Sequence, residues 1–218
     1  MKVSDLAERS GVALSTLKYY QREGLVPEGT RRNATQVDYG ETHLQRLRLI
    51  RALLDVGGLS MAGAKEVLRR LDDVATPLAE TFEAAQAALG SRRPSGAGSG
   101  RSAGARARVH QLAQSRGWCI SEENPGLDVA AGALEGMLAS NHDPTQEYLD
   151  AYADAAQAAA GADLQALSLL SQQDQIAELM VVGTVLGDPL FAGLRRLAQQ
   201  DATKKVFSHT PAPEAHQP

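Results

Sequence analysis

The chain has 218 residues and is 43% hydrophobic, 22% charged and only 4% aromatic, so its core must be built mainly from Leu, Val and Ala, as in packed helices. One cysteine, Cys119, excludes an internal disulfide framework and any CxxC zinc site, and fits a reducing compartment. The formal net charge of −4 is unevenly placed: 12 Lys/Arg face 9 Asp/Glu in residues 1–72, 5 face 3 in 73–110, and 5 face 14 in 111–218. A basic front joined to an acidic back is what a nucleic-acid-binding head with a separate body would show.

In chain order, Ser4 is placed to cap a first helix that carries Leu6 inward and stops at Gly11. A second helix starts after Val12, turns Leu14 and Leu17 inward and ends at Gly24. Thr35, Val37 and Tyr39 alternate with Gln36 and Asp38, the period of a short strand. Leu44, Leu47, Ile50 and Leu54 then recur at helical spacing up to Gly57-Gly58. Ser60 suits the cap of a helix with Ala64, Val67, Leu68 and Leu71 on one face. Pro77 suits the first turn of another, whose Leu78, Phe82, Ala85 and Leu89 step by four, three and four. That is a two-heptad seam, and a helix so short is marginal alone, so a dimerisation partner is expected.

Residues 91–105 are Gly/Ser/Arg-rich without apolar periodicity, the pattern of a flexible, solvated linker whose arginines could also touch DNA phosphates. Beyond it, Asn124-Pro125, Asp143-Pro144 and Asp188-Pro189 repeat one helix-start signal, an Asx cap followed by proline. They open helices bearing Leu127, Leu134 and Leu138, then Tyr148 and Tyr152, then Leu190, Leu194 and Leu197. Ile176 to Leu186 is apolar on nearly every face, which predicts burial on all sides, partly against a second subunit. The tail from Ser208 holds three prolines and is expected to be disordered. The first five residues lack the apolar stretch of a signal peptide, and no run of about 18–20 apolar residues is apparent, so a cytoplasmic protein without a membrane partner is expected.

The segment from Ser4 to Pro27 carries the function. Two short helices around Gly11 make a helix-turn-helix, and with Leu14 and Leu17 inward, Ser15, Thr16, Lys18 and Tyr19 are left on the outer face. Hydroxyls can reach phosphates or base edges, Lys18 supplies charge, and a tyrosine ring can pack on sugars while its hydroxyl reaches a phosphate.

Leu17-Lys18-Tyr19-Tyr20-Gln21-Arg22-Glu23-Gly24-Leu25 resembles the signature of the MerR family of transcription regulators. The basic wing Arg31-Arg32-Asn33, a strand ending in Tyr39, the helix of Leu44 to Ile50 and the turn Val56 to Ser60 follow in the family's order, and the seam at 78–89 stands where the family has its dimerisation helix. The resemblance implies a homodimer on a near-palindromic operator in double-stranded DNA, acting at promoters with RNA polymerase by bending and untwisting the spacer. It also implies that Lys18, Tyr19, Arg31 and Tyr39 contact phosphates, that Ser15 and Thr16 lie nearest base edges, and that Tyr20, Arg32 and Asn33 belong to the same surface. Two departures stand out. Ala13 replaces the usual Ser or Thr cap, and Thr35-Gln36-Val37-Asp38 replaces a Gly-Tyr-Arg run, so a wing arginine contact must come from Arg31 or Arg32.

The expected fold is therefore mainly α: a winged helix-turn-helix in 1–72, a dimerisation helix in 73–90, the linker 91–105, a helical body in 106–207 and the tail 208–218. Trp118, Met137, Tyr148, Tyr152 and Met180 are candidates to line a pocket for a small lipophilic effector in that body, whose pattern is similar to TetR-type effector domains. The rival reading, which helical spacing favours for these side chains, is plain core in a domain that only dimerises. Cys119 is expected to be a buried bystander, and Glu122, Glu123, Asp150 and Asp154 to be merely solvated. The five histidines are scattered without metal-ligand spacing, and no nucleophile elbow, phosphate loop or dinucleotide fingerprint occurs, so neither a metal, a cofactor nor an enzyme is expected. The rival function is an excisionase-like or nucleoid architectural protein sharing the head without effector control.

Overall fold

The computed structural model describes residues 1–33, 37–73, 75–90 and 103–207. Thr35 and Gln36 of the expected strand, most of the linker and the tail lie outside the described residues. The described chain is mainly α, as its composition implies, and begins with α1 (Val3–Ser10), α2 (Leu14–Arg22), the paired strands β1 (Thr30–Arg31) and β2 (Val37–Asp38), and α3 (Glu41–Arg51) running into a π-turn at Ala52–Val56. Then come α4 (Met61–Asp72), α5 (Leu78–Gly90), α6 (Ala103–Ser115), α7 (Pro125–Ala139), α8 (Gln146–Ser168) and α9 (Gln173–Phe207).

Local signals decide most of the head. Gly11 ends α1 at φ +65°, a left-handed turn that costs glycine nothing, and its N–H bonds the Glu8 carbonyl at 3.2 Å. The start of α1 differs from expectation. Helix begins at Val3, and Asp5 at its third position accepts the Lys2 N–H at 3.1 Å, while Ser4 only bonds the Asp5 carboxylate. The Lys2 N–H and the Ser4 hydroxyl hold the Asp5 carboxyl below the usual carboxylate range. Ser60 caps α4 as expected, accepting the Gly63 N–H at 3.0 Å. In α3 the π-turn brings Leu53 to full burial and leaves Leu54 only half-buried, so the expected Leu44, Leu47, Ile50, Leu54 row ends one residue earlier.

Two corrections fall on α2. Leu14 is 42% exposed, because Val12 in the preceding turn fills the inward place; Tyr20 is only 7% exposed and packs in the core with Leu17, Leu25 and Val26. Tyr20 is therefore not part of the outer surface. Burial pushes its phenol above the ordinary tyrosine range.

The core of the head is not closed by residues 1–72 alone. Val181 and Val185 of α9 and Ala85 and Ala88 of α5 join Leu6, Leu17, Leu44, Ile50, Leu53 and Val67 in one buried cluster. Gly57 permits this approach, since a Cβ there would collide with the Val185 side chain and the Leu53 carbonyl. So α5 lies between α4, α7 and α9 of its own chain and buries Thr81, Ala85 and Ala88. The expected seam is split by this packing: Ala85 is buried, Leu78 and Leu89 are half-buried, and Phe82 is 38% exposed.

Beyond the linker, α6 already starts at Ala103, within the segment expected to be flexible. Asn124 caps α7 as expected, accepting the Gly126 N–H at 2.8 Å with Pro125 at the first position. The cap of α8 is Thr145 rather than Asp143, which instead takes Arg108 at 2.6 Å. Asp188-Pro189 opens no helix: Pro189 lies inside the continuous α9. Proline removes the hydrogen bond of its own N–H and crowds the carbonyl four residues back, but its fixed φ is helical, and the buried packing of Val181 and Val185 on the preceding turns carries the helix through. The burial expected of Ile176 to Leu186 is met in part by the chain's own head, through Val181 and Val185.

Arginines join the body's helices. Arg106 reaches Glu122 at 3.0 Å and Asp128 at 3.4 Å, and Arg116 reaches Asp150 at 3.0 Å and also Asp154. Glu122, Asp150 and Asp154 are thus paired rather than merely solvated. Cys119 is exposed, contrary to its expected burial. The expectation of no membrane-length segment also needs correcting: by length and composition α9 qualifies, with a window of mean hydropathy 1.5 within Gln173–Val206. Glu178, Asp188 and Pro189, with glycines and a threonine between them, break its apolar run while the mean stays at 1.5, which is why counting unbroken apolar residues misses it.

Candidate nucleic-acid interface

Because Leu17 and Tyr20 point inward, the outer face of α2 is set by Ser15, Lys18, Tyr19 and Arg22, all exposed, with Thr16 half-buried at its margin. No acidic residue lies within α2, and the nearest, Glu23, is drawn to Lys65 of α4 at 3.5 Å. The Arg22 guanidinium lies 5.7 Å from the centre of the Tyr19 ring, which holds cation and ring on one surface. Ala13 offers no side-chain cap, so the first-turn N–H groups of α2 lack a side-chain acceptor.

The wing is fixed to this face by Tyr39. Gln21 donates to its hydroxyl at 3.0 Å, the His43 ring meets its ring edge-on at 5.2 Å, and its N–H and C=O bond the C=O and N-terminal ammonium of Met1 at 2.9 and 2.7 Å. Arg31, Arg32 and Asn33 are exposed on the wing. Arg32 is drawn toward Asp38 at 3.6 Å, while no side-chain partner of Arg31 occurs among the described residues, so Arg31 is the freer wing cation. Behind the face, Arg46 of α3 donates to the Leu25 carbonyl at 2.8 Å and forks onto Asp72 at 2.8 and 2.5 Å. That half-buried arginine ties the exit of α2 to the end of α4.

Of the expected contact residues, Ser15, Lys18, Tyr19, Arg31, Arg32 and Asn33 are thus exposed, Thr16 and Tyr39 are half-buried, and Tyr20 is in the core. Gln21 and Arg22 were missed. Arg22 stands four residues after Lys18, one helical turn along the same face, and that spacing was the available signal.

The five effector candidates do not converge on one enclosed space. Tyr148 and Tyr152 stack at 4.7 Å and bond hydroxyl to hydroxyl at 3.0 Å, and Arg195 donates to Tyr152 at 3.0 Å, but both rings are about 40% exposed, at 40% and 41%. Trp118 reaches Gln157 at 3.4 Å, Met137 is 37% exposed, and Met180 is half-buried on α9. A cleft of about 260 Å³ lies elsewhere, between Pro27, Arg46 and Asp72 of the head and Asp174 and Glu178 of α9. Among the described residues, no cluster of three or more His, Cys, Asp or Glu side chains could hold a metal ion.

Residues 1–71 match the model of the MerR helix-turn-helix family of regulatory proteins. The chain is 33% identical over 97 residues to the HTH-type transcriptional regulator ZntR homolog of Haemophilus influenzae, a match that covers 37% of this chain and 72% of that one. It is 33% identical over 73 residues to the mercuric resistance operon regulatory protein of Serratia marcescens, covering 34% and 49%. The fold of the whole chain is similar to that of SCO5550 from Streptomyces coelicolor A3(2), described as a transcriptional regulator, with a TM-score of 0.69, 30% identity, and coverage of 97% of this chain and 100% of that one. On the helix-turn-helix geometry and these likenesses together, the chain belongs to the MerR family of DNA-binding transcription regulators.

Proposed function

We propose that the protein acts as a homodimer on a near-palindromic operator and regulates a promoter by distorting its DNA. The observation that carries this is the outer face of α2, where Lys18, Tyr19 and Arg22 stand together without an acidic neighbour in the helix, beside a wing cation, Arg31. Lys18, Arg22 and Arg31 take phosphates, Tyr19 packs on the backbone, Ser15 and Thr16 face base edges, and Tyr39 holds the wing at a fixed distance from them. Two such faces on one two-fold axis read an inverted repeat, and strain imposed between the half-sites changes the promoter spacer before RNA polymerase.

Regulation by a small lipophilic molecule belongs to the same proposal, with the exposed Tyr148–Tyr152 pair of α8 as the aromatic surface for it. The body is positioned to transmit such a signal, because Val181 and Val185 of α9 are part of the head's core.

Selection of duplexes from a randomised pool by the full chain, followed by footprinting and transcription in vitro, tests the proposal. An enriched inverted repeat, protected across a core promoter and changing RNA output, is the expected result. Binding without any sequence preference would favour an architectural protein and overturn it.

A further inference from the structure

We propose that α9 pairs with the α9 of a second copy of this chain, antiparallel, about a two-fold axis between Asp188 and Pro189. This rests on the dimeric regulator above and moves its main contact from α5 to α9. One side of α9 is used within the chain: Val181 and Val185 are fully buried in the head. On the opposite side Gly183, Gly187, Leu190, Leu194 and Leu197 follow one another by four, three, four and three residues, a heptad stripe. Its leucines are open, at 63%, 56% and 64% exposure. Its glycines are half-buried but leave room beside them, since a Cβ at Gly183 or Gly187 would meet nothing within 4 Å. Glycine is among the worst residues for a helix interior, and among the described residues nothing uses the room these two leave.

The stripe fits a reversed copy of itself. About that axis Leu190 falls opposite the partner's Gly187, Leu194 opposite the partner's Gly183, and Leu197 opposite the partner's Met180. Each exposed leucine of the inner pair thus meets a vacancy, as knobs meet holes. Charge selects the same direction. The first half of α9 carries Asp174, Glu178 and Asp188, and the second carries Arg195, Arg196, Lys204 and Lys205 against one acid, Asp201. An antiparallel pair brings unlike ends together, with Lys204 arriving beside the partner's Asp174, whereas a parallel pair would stack like charges. A lipid surface suits this face less well, because Asp201 and Lys204 continue the stripe. Because α9 is rooted in the head through Val181 and Val185, the pairing also fixes how far apart two DNA-reading faces stand.

The test is sedimentation velocity on the full chain, with Gly187→Leu and Leu194→Lys as variants and Phe82→Lys on α5 as the comparison. Gly187→Leu enters open space in the monomer, so its circular dichroism should match the parent and its unfolding should stay cooperative, while its melting point need not match because the dimer is lost. The parent is expected to be a dimer, both α9 variants to dissociate with at least tenfold weaker association, and Phe82→Lys to remain dimeric. A monomeric parent, α9 variants as dimeric as the parent, or dissociation by Phe82→Lys alone would overturn the pairing. Flotation of the parent with phosphatidylcholine–phosphatidylglycerol vesicles would assign the stripe to a membrane and overturn it too. Duplex binding is read separately by gel shift with the randomised pool. An α9 dimer that retains no duplex supports the pairing and removes the regulator, while a parent that retains duplex without α9 pairing removes only the pairing.

Discussion

Gln21 of α2 donates a hydrogen bond to the phenol of Tyr39, Nε2 to Oη at 3.0 Å, and so fixes the base of the wing to the helix proposed to face DNA. The bond spans 18 residues of chain, and the backbone on either side of Tyr39 is already held by Met1. Tyr39→Phe keeps the ring against His43 but loses this bond. The expected cost is about 0.5–1.5 kcal/mol of stability, the usual range for a neutral hydrogen bond, with a several-fold loss of DNA affinity. Thermal melting and gel shift measure the two; unchanged affinity would show that the wing is positioned without Gln21.

Lys18 and Arg22 stand one helical turn apart and are proposed to neutralise phosphates. Lys18→Ala and Arg22→Ala should each weaken binding to every duplex and flatten the dependence of log K on log salt by about 0.9, one phosphate contact. Binding measured between 50 and 200 mM salt, a span chosen for sensitivity to about that slope, checks this. A slope identical to the parent's would remove the residue from the contact set.

Tyr19 and Tyr20 are neighbours in sequence with opposite fates. Tyr20 lies in the core, so Tyr20→Phe should leave DNA affinity unchanged, whereas Tyr20→Ala should cost about 3 kcal/mol or more of stability through the cavity it leaves. Tyr19→Ala should do the reverse, lowering affinity with little change in melting. A drop in affinity for Tyr20→Phe at unchanged stability would return Tyr20 to the surface.

Glu66 on α4 is gripped by Arg69 and Arg70, at 2.8 and 2.9 Å, and their hydrogen bonds hold its carboxyl down to about 2 from 4.5. A carboxylate with a depressed folded pKa contributes stability above its unfolded pKa and loses it as pH falls toward the folded one. The contribution is thus present above about 4.5 and fades toward about 2. All three side chains face solvent, so it amounts to no more than about 1 kcal/mol. Comparing melts of the parent and Glu66→Gln from neutral pH downward should show a small gap that closes in this acid window. A gap that persists below it would mean the carboxyl is held by more than its charge.

The sequence by itself determined what depends on near neighbours. Gly11 and the caps Ser60 and Asn124 are set within about four residues of chain, and the order of motifs from Leu17 to Ser60 made the family legible. The same rules misplaced Asp188-Pro189, because a capping pair and a helix-interior proline look alike locally and differ only in what the flanking turns pack against. Tertiary structure alone decided that Val12 displaces Leu14, that Tyr20 turns inward, and that Val181 and Val185 enter a core some 130 residues upstream at Leu53. Periodicity marks a side chain as apolar-facing without naming the surface it meets, so the partner of α5 and the use of α9 became visible only once distant helices were packed together.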